Sequence, residues 1–187
     1  MDWLLITRFG VLNVVAIVGF VLMTMAGWVT QVIEKDTSYI SIGIFVLFLF
    51  GMTVTTNTVF LISKELNGAG KATGFASKDV QNMQKRLAAR LATIAETASF
   101  LVMLGLIGTV LGFIEAMAGI STDTVMDSNA TLKMVVELVN GMNVALYTTL
   151  VGSVLYLWLR SNYRLAANGA TKLTALMERK VSSERQV

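Results

Sequence analysis

Residues 100–120 read FLVMLGLIGTVLGFIEAMAGI. A helix of this length crosses a hydrocarbon core, which takes about 20 apolar residues. Gly105, Gly108, Gly112 and Gly119 fall three, four and seven residues apart, so they share one helical face. Thr109 lies four residues after Gly105 and three before Gly112, which puts its hydroxyl on that face. The partner stretch is 134–160, where Gly141, Ala145, Thr149 and Gly152 recur at the same spacing. Small residues let helix backbones approach closely in lipid. A hydroxyl both donates and accepts, so two such stripes can also line an ion route.

Composition agrees with a membrane protein. Of 187 residues, 55% are hydrophobic and 14% charged, against about 25% charged in a soluble domain. The chain has neither Cys nor His, so it lacks disulfides, thiolate metal sites and the commonest general base. No metal site and no cofactor are expected.

Two further apolar spans precede the quoted one. Val11 to Thr30 is uncharged, with Trp28 placed as an interfacial anchor. A signal peptide would want a more basic start and a shorter core. Glu34, Lys35 and Asp36 form a polar turn, and Tyr39 to Ile62 is the second span. Its last third, TVTTNTVF, carries Thr53, Thr55, Thr56, Asn57 and Thr58, which can bond the helix backbone or a neighbouring helix.

Between spans two and three, KELNGAGKATGFASKD reads as a loop because it is rich in Gly and small residues. Its GAGKAT is no phosphate-binding loop: Glu65 stands where the first glycine is required, and Ala72 follows the lysine. From Lys78 on, Val80, Met83, Leu87, Leu91 and Ile94 recur every three or four residues. They predict an amphipathic helix that runs on into span three, with Lys85, Arg86 and Arg90 off the apolar stripe. Residues 121–133 read as a polar loop, and the tail after Arg160 as a helix that frays.

Charge sets the topology. The head, the 63–96 segment and the tail carry thirteen cations; the two short loops carry two, Lys35 and Lys133. The positive-inside rule then puts both termini in the cytoplasm. The expectation is an all-α polytopic membrane protein with four transmembrane helices. Residues 1–62 form a first transmembrane hairpin, 63–97 a cytoplasmic loop and amphipathic helix, 98–160 a core transmembrane hairpin, and 161–187 a cytoplasmic tail.

Glu115 lies six residues before the polar loop that opens at Ser121, three after Gly112, and is expected to point with the small-residue stripe. An ionisable group inside a membrane is a candidate functional residue; pairing with Lys133 or a neighbouring subunit is the competing role. Asn140, Asn143, Tyr147 and Thr148 add polarity to the fourth span.

The segments GLIGTVLGFIEAM and GMNVALYTTLVGSVLYLWLR resemble the MotA/TolQ/ExbB proton channel family of bacterial inner-membrane motors. The first is similar to the family's GLLGTVxGM-type helix. The second is similar to its ALxxTxxG-type helix through Ala145, Leu146, Thr149 and Gly152. The resemblance covers about residues 80–160, and the four spans look more like the MotA arrangement than the three-span ExbB and TolQ one. It implies a homo-oligomeric ring, a pentamer, with long helices projecting into the cytoplasm. The ring would surround a dimer of a MotB/ExbD-like single-span protein that supplies an ion-carrying aspartate. It also implies that Thr109 and Thr149 line the cavity around the partner and that the transported ion is H⁺ or Na⁺. Thr148 and Glu115, the latter near the outer ion entry, are further ion-pathway candidates from their positions in the spans. Two features depart from the family: there is no proline, Trp158 standing about where one is common, and 63–96 is too short for a flagellar rotor-binding domain. The chain carries no nucleophile–base pair, so an enzyme is not expected; nor is a nucleic-acid partner. The rival readings are a passive oligomeric membrane scaffold or small channel, whose stripes only pack helices, and a secondary transporter, which would want internal repeats.

Overall fold

The computed structural model describes residues 3–27, 29–30, 40–71, 77–118 and 128–184. The four long helices are α1 (Trp3–Met25), α2 (Ile40–Lys71), α3 (Ser77–Ala118) and α4 (Ser128–Glu184). All four are long and apolar enough to cross a membrane, so the chain is all-α with four candidate spans. The turn at 34–36, most of the 121–133 loop and Gly119 lie outside the described residues.

Several helix ends differ from expectation. α4 begins at Ser128 and α3 at Ser77, each inside a stretch that reads as loop. Residues 63–71 are helix, not loop. The glycines at 68 and 70 obscured a stripe that continues from the apolar run: Val59, Ile62 and Leu66 are all buried, three and four residues apart. The tail also stays helical to Glu184, because Ala166, Ala170, Leu173 and Met177 hold a buried face at the same spacing. α3 runs without a break from the amphipathic segment into the apolar one, with Val80, Leu87 and Ile94 buried. α1 stops at a glycine in the left-handed region: Gly27 has φ 79°. There the Ala26 N–H reaches Leu22 O and the Gly27 N–H reaches Thr24 O, both at 3.0 Å.

The chain divides into two compact units, and every helix contributes to both. One comprises Met1–Val18, Leu49–Ala98 and Trp158–Val187. Its core joins Ile62 and Leu66 of α2, Val80 and Leu87 of α3, and Ala170, Leu173 and Met177 of α4, with Leu5 of α1 packed against them. Gly51 lets α2 come close to its neighbours. A Cβ there would stand 2.6 Å from Leu159 Cδ2 and 3.0 Å from Thr97 Cγ2. Further along, Gly169 of α4 lies against Leu5 and Ile62. The hydroxyls of the TVTTNTVF run turn inward on their own helix. Thr53, Thr55, Thr56 and Thr58 each donate to the carbonyl four residues back, at 2.7–2.8 Å.

The other unit comprises Gly19–Phe48 and Ser99–Leu157. Ile44 and Phe48 of α2, Leu101 and Ala116 of α3, and Val144, Ala145 and Leu155 of α4 are buried in it. Most of its outward side chains are apolar, among them Val102, Leu106, Val110, Phe113, Val139 and Leu146, while Glu115, Glu137 and Asn140 are exposed polar exceptions.

Candidate functional site: the glycine–threonine helix contact

Within the second unit the two small-residue stripes face each other. A Cβ at Gly112 would lie 2.8 Å from Ala145 N and 2.9 Å from Gly141 O, and one at Gly152 would lie 2.7 Å from Leu101 O. At Gly105 the nearest atoms are Thr148 O, 3.2 Å away, and Thr149 Cα, 3.3 Å away. Gly141 is closed off by Ala116. Most of these neighbours are backbone atoms, and at Gly112 and Gly152 the approach is too close for any side chain. The contact runs over about two turns of α3, through Gly105, Gly108 and Gly112, and about three turns of α4, through Gly141, Ala145 and Gly152.

The threonines fall into three different settings. Thr148 is fully buried. Its Oγ1 sits where a Gly108 side chain would begin and donates to Ala145 O at 3.0 Å. Thr149, one residue on, lies at the margin of the contact and donates across it to Gly105 O at 3.0 Å. That hydroxyl ties the two helices together. Thr109 is half-buried and donates to its own helix at Leu106 O. Thus Thr148, not Thr149, fills the centre of the α4 stripe. Spacing alone left these neighbours 100° apart on a helix whose rotation only packing fixes.

Glu115 is exposed. The next member of the buried α3 line after Gly112 is Ala116, 2% exposed, so the carboxylate stands beside the stripe instead of on it. Glu137 and Asn140 are also exposed, while Asn143 and Tyr147 are half-buried. Among the described residues no group of His, Cys, Asp and Glu could hold a metal ion.

A second polar feature joins the first helix to the last. Asn13 of α1 and Asn162 of α4 meet side chain to side chain in the first unit. Asn13 Nδ2 donates to Phe9 O at 2.8 Å and to Asn162 Oδ1 at 2.9 Å. Its Oδ1 accepts from Trp158 Nε1 at 2.9 Å and from Asn162 Nδ2 at 3.2 Å. Asn162 Nδ2 also reaches Trp158 O and lies 3.8 Å from the Met52 sulfur of α2. Asn162 is fully buried. An indole nitrogen only donates, so Trp158 fixes which way the Asn13 amide points. The sequence signal was there: Asn13 is the lone amide in the first apolar run, and Asn162 follows Trp158 by one helical turn.

Comparison with curated proteins and with solved structures finds no match. The family model described as the MotA/TolQ/ExbB proton channel family matches residues 68–179. That range takes in the end of α2, all of α3 and all of α4 but its last residues, and so both sides of the glycine–threonine contact. The matched stretch is more than half of the 187 residues, and the chain belongs to the MotA/TolQ/ExbB proton channel family.

Proposed function

We propose that the chain is the ring-forming subunit of an ion-driven motor or stator complex in a bacterial inner membrane. In this reading H⁺ or Na⁺ flow is converted to mechanical work together with a MotB/ExbD-like single-span partner. Five copies surround a partner dimer, with both termini cytoplasmic. Thr109, Thr148 and Thr149 contribute to the ion pathway, with Glu115 at its outer mouth. The observation that carries the proposal is the family match over the helix pair that brings Gly105, Thr148 and Thr149 together. The energy scale is adequate, since one charge crossing 100 mV releases about 2.3 kcal/mol. The chain itself offers no deeply placed carboxylate in a span, which suits a partner-borne ion carrier.

The test pairs assembly with transport. Thr149→Val is expected to leave the oligomer intact and to abolish ion-coupled work; unchanged work with an intact oligomer removes Thr149 from the pathway. Glu115→Lys should impair function more than Glu115→Gln, and equal, negligible effects remove Glu115. Co-purification of a single-span protein bearing a membrane aspartate supports the motor.

A second reading is a passive oligomeric scaffold or small channel. It is favoured by one observation: the Thr149 hydroxyl is already engaged by Gly105 O and Thr109 by Leu106 O, as a packing role requires. A purified ring that lacks both partner and ion flux decides for it.

A further inference from the structure

The structure assigns the cytoplasmic membrane surface to the level of Gly51, well before the apolar run of α2 ends at Ile62. Four helices change character at one layer. On α2 the outward side chains Ile42, Val46, Leu49 and Phe50 are apolar; the next outward ones, Thr53, Thr56, Asn57 and Lys64, are polar and exposed, with Phe60 among them. On α3 the change falls between exposed Glu96 and Phe100, on α4 between Leu157 and Ser161, and on α1 between Arg8 and Val11.

Side-chain register ties these four points together. Gly51 abuts Leu159 and Thr97, and Asn13 bonds Trp158 and Asn162, which reaches Met52. The switch points on α2, α3 and α4 therefore stand side by side, with that on α1 close by. Of the exposed large hydrophobic residues, all but Ile6, Phe60 and Leu176 fall on the apolar side of the switch along their own helix. Lone exposed apolar side chains are ordinary on a water-facing surface. Arg160 fits the boundary too, its guanidinium 4.8 Å from the centroid of the Tyr163 ring, an aromatic–cation pair suited to headgroups.

The consequence is a lipid-surface contact at the Asn13–Trp158–Asn162 cluster and a water-facing second half of α2. Residues 53–62 carry no charge, so hydropathy assigns them to the membrane. Yet they bury Thr55, Thr58, Val59 and Ile62 and expose Thr56 and Asn57, the pattern of an amphipathic helix in water. Their threonines and asparagine then belong neither to an ion path nor to helix contacts inside the bilayer. The uncharged run of α2 continues past the layer as far as Ile62, so α2 provides the sharpest test.

The chain has no native cysteine, so single cysteines at Val46, Asn57, Phe60 and Lys64 can each carry a fluorophore in the full protein reconstituted in phosphatidylethanolamine–phosphatidylglycerol vesicles. Iodide on both sides of the membrane reports water; a nitroxide on a lipid acyl chain reports hydrocarbon. Variants that keep the parent's elution profile are compared. At Asn57→Cys and Phe60→Cys, iodide quenching should fall within about twofold of that at Lys64→Cys, with acyl-chain quenching confined to Val46→Cys. Acyl-chain quenching at 57 or 60 overturns the assignment and returns the boundary to Ile62. Quenching at those sites by neither reagent also overturns it, since the face would then be covered by protein.

Discussion

The two units hold their helices together by opposite means. One packs glycine against backbone: Gly105, Gly112 and Gly152 leave main-chain atoms as the neighbours of any added Cβ, and Gly141 lies against Ala116. The other packs large side chains, with Ile62, Leu87 and Leu173 fully buried. Hydrocarbon provides no hydrophobic drive between helices, so association in lipid depends on close van der Waals contact and interhelical hydrogen bonds. Water does provide that drive, and burying each such side chain contributes roughly 1.5–3 kcal/mol. The contrast between small-residue and large-residue interfaces lies within one chain, along the same four helices.

The same substitution placed in both units gives the largest expected difference. Gly112→Ala meets Ala145 N and Gly141 O, which move only if the helices separate; Gly51→Ala meets the ends of Leu159 and Thr97, which can rotate away. Gly112→Ala should lower the thermal midpoint of the detergent-purified protein far more than Gly51→Ala, and similar losses would erase the distinction. Next is Leu87→Ala, which opens a cavity in the large-residue core and should cost about 2–5 kcal/mol, measured by chemical denaturation in micelles. Asn162→Leu comes third. It removes two of the four hydrogen bonds of Asn13, leaving those with Phe9 O and Trp158 Nε1, and should cost about 1–3 kcal/mol; the double variant Asn13→Leu/Asn162→Leu, which also takes the acceptor from the Trp158 N–H, should cost more. Thr149→Val is the smallest. It removes one interhelical hydrogen bond, and such bonds average about 0.6 kcal/mol in a membrane protein. A much larger destabilisation would make that hydroxyl a principal tie between α3 and α4.

Much of this contrast could be read in advance. Spacing identified the glycine stripes, because three- and four-residue intervals put Gly105, Gly108 and Gly112 on one face whatever they meet. The leucine stripe of α3 was equally clear, through Leu87 and Ile94. Three features were hidden, each for a physical reason. Gly68 and Gly70 suggested a loop, but tertiary burial of Leu66 outweighs their low helix propensity. The choice between Thr148 and Thr149 depends on helix rotation, which a run of apolar neighbours on every side does not determine. Asn13 and Asn162 lie 149 residues apart, and no local pattern joins them.

That last pairing bears on how the molecule can be engineered. The family match begins at residue 68, after Asn13, yet it contains Trp158 and Asn162, two of the donors that Asn13 satisfies. A chimera that grafts only the matched cassette onto a foreign leader would take from the Trp158 indole and the buried Asn162 amide the acceptor that Asn13 Oδ1 provides to both. The first helix is therefore best moved together with the last two.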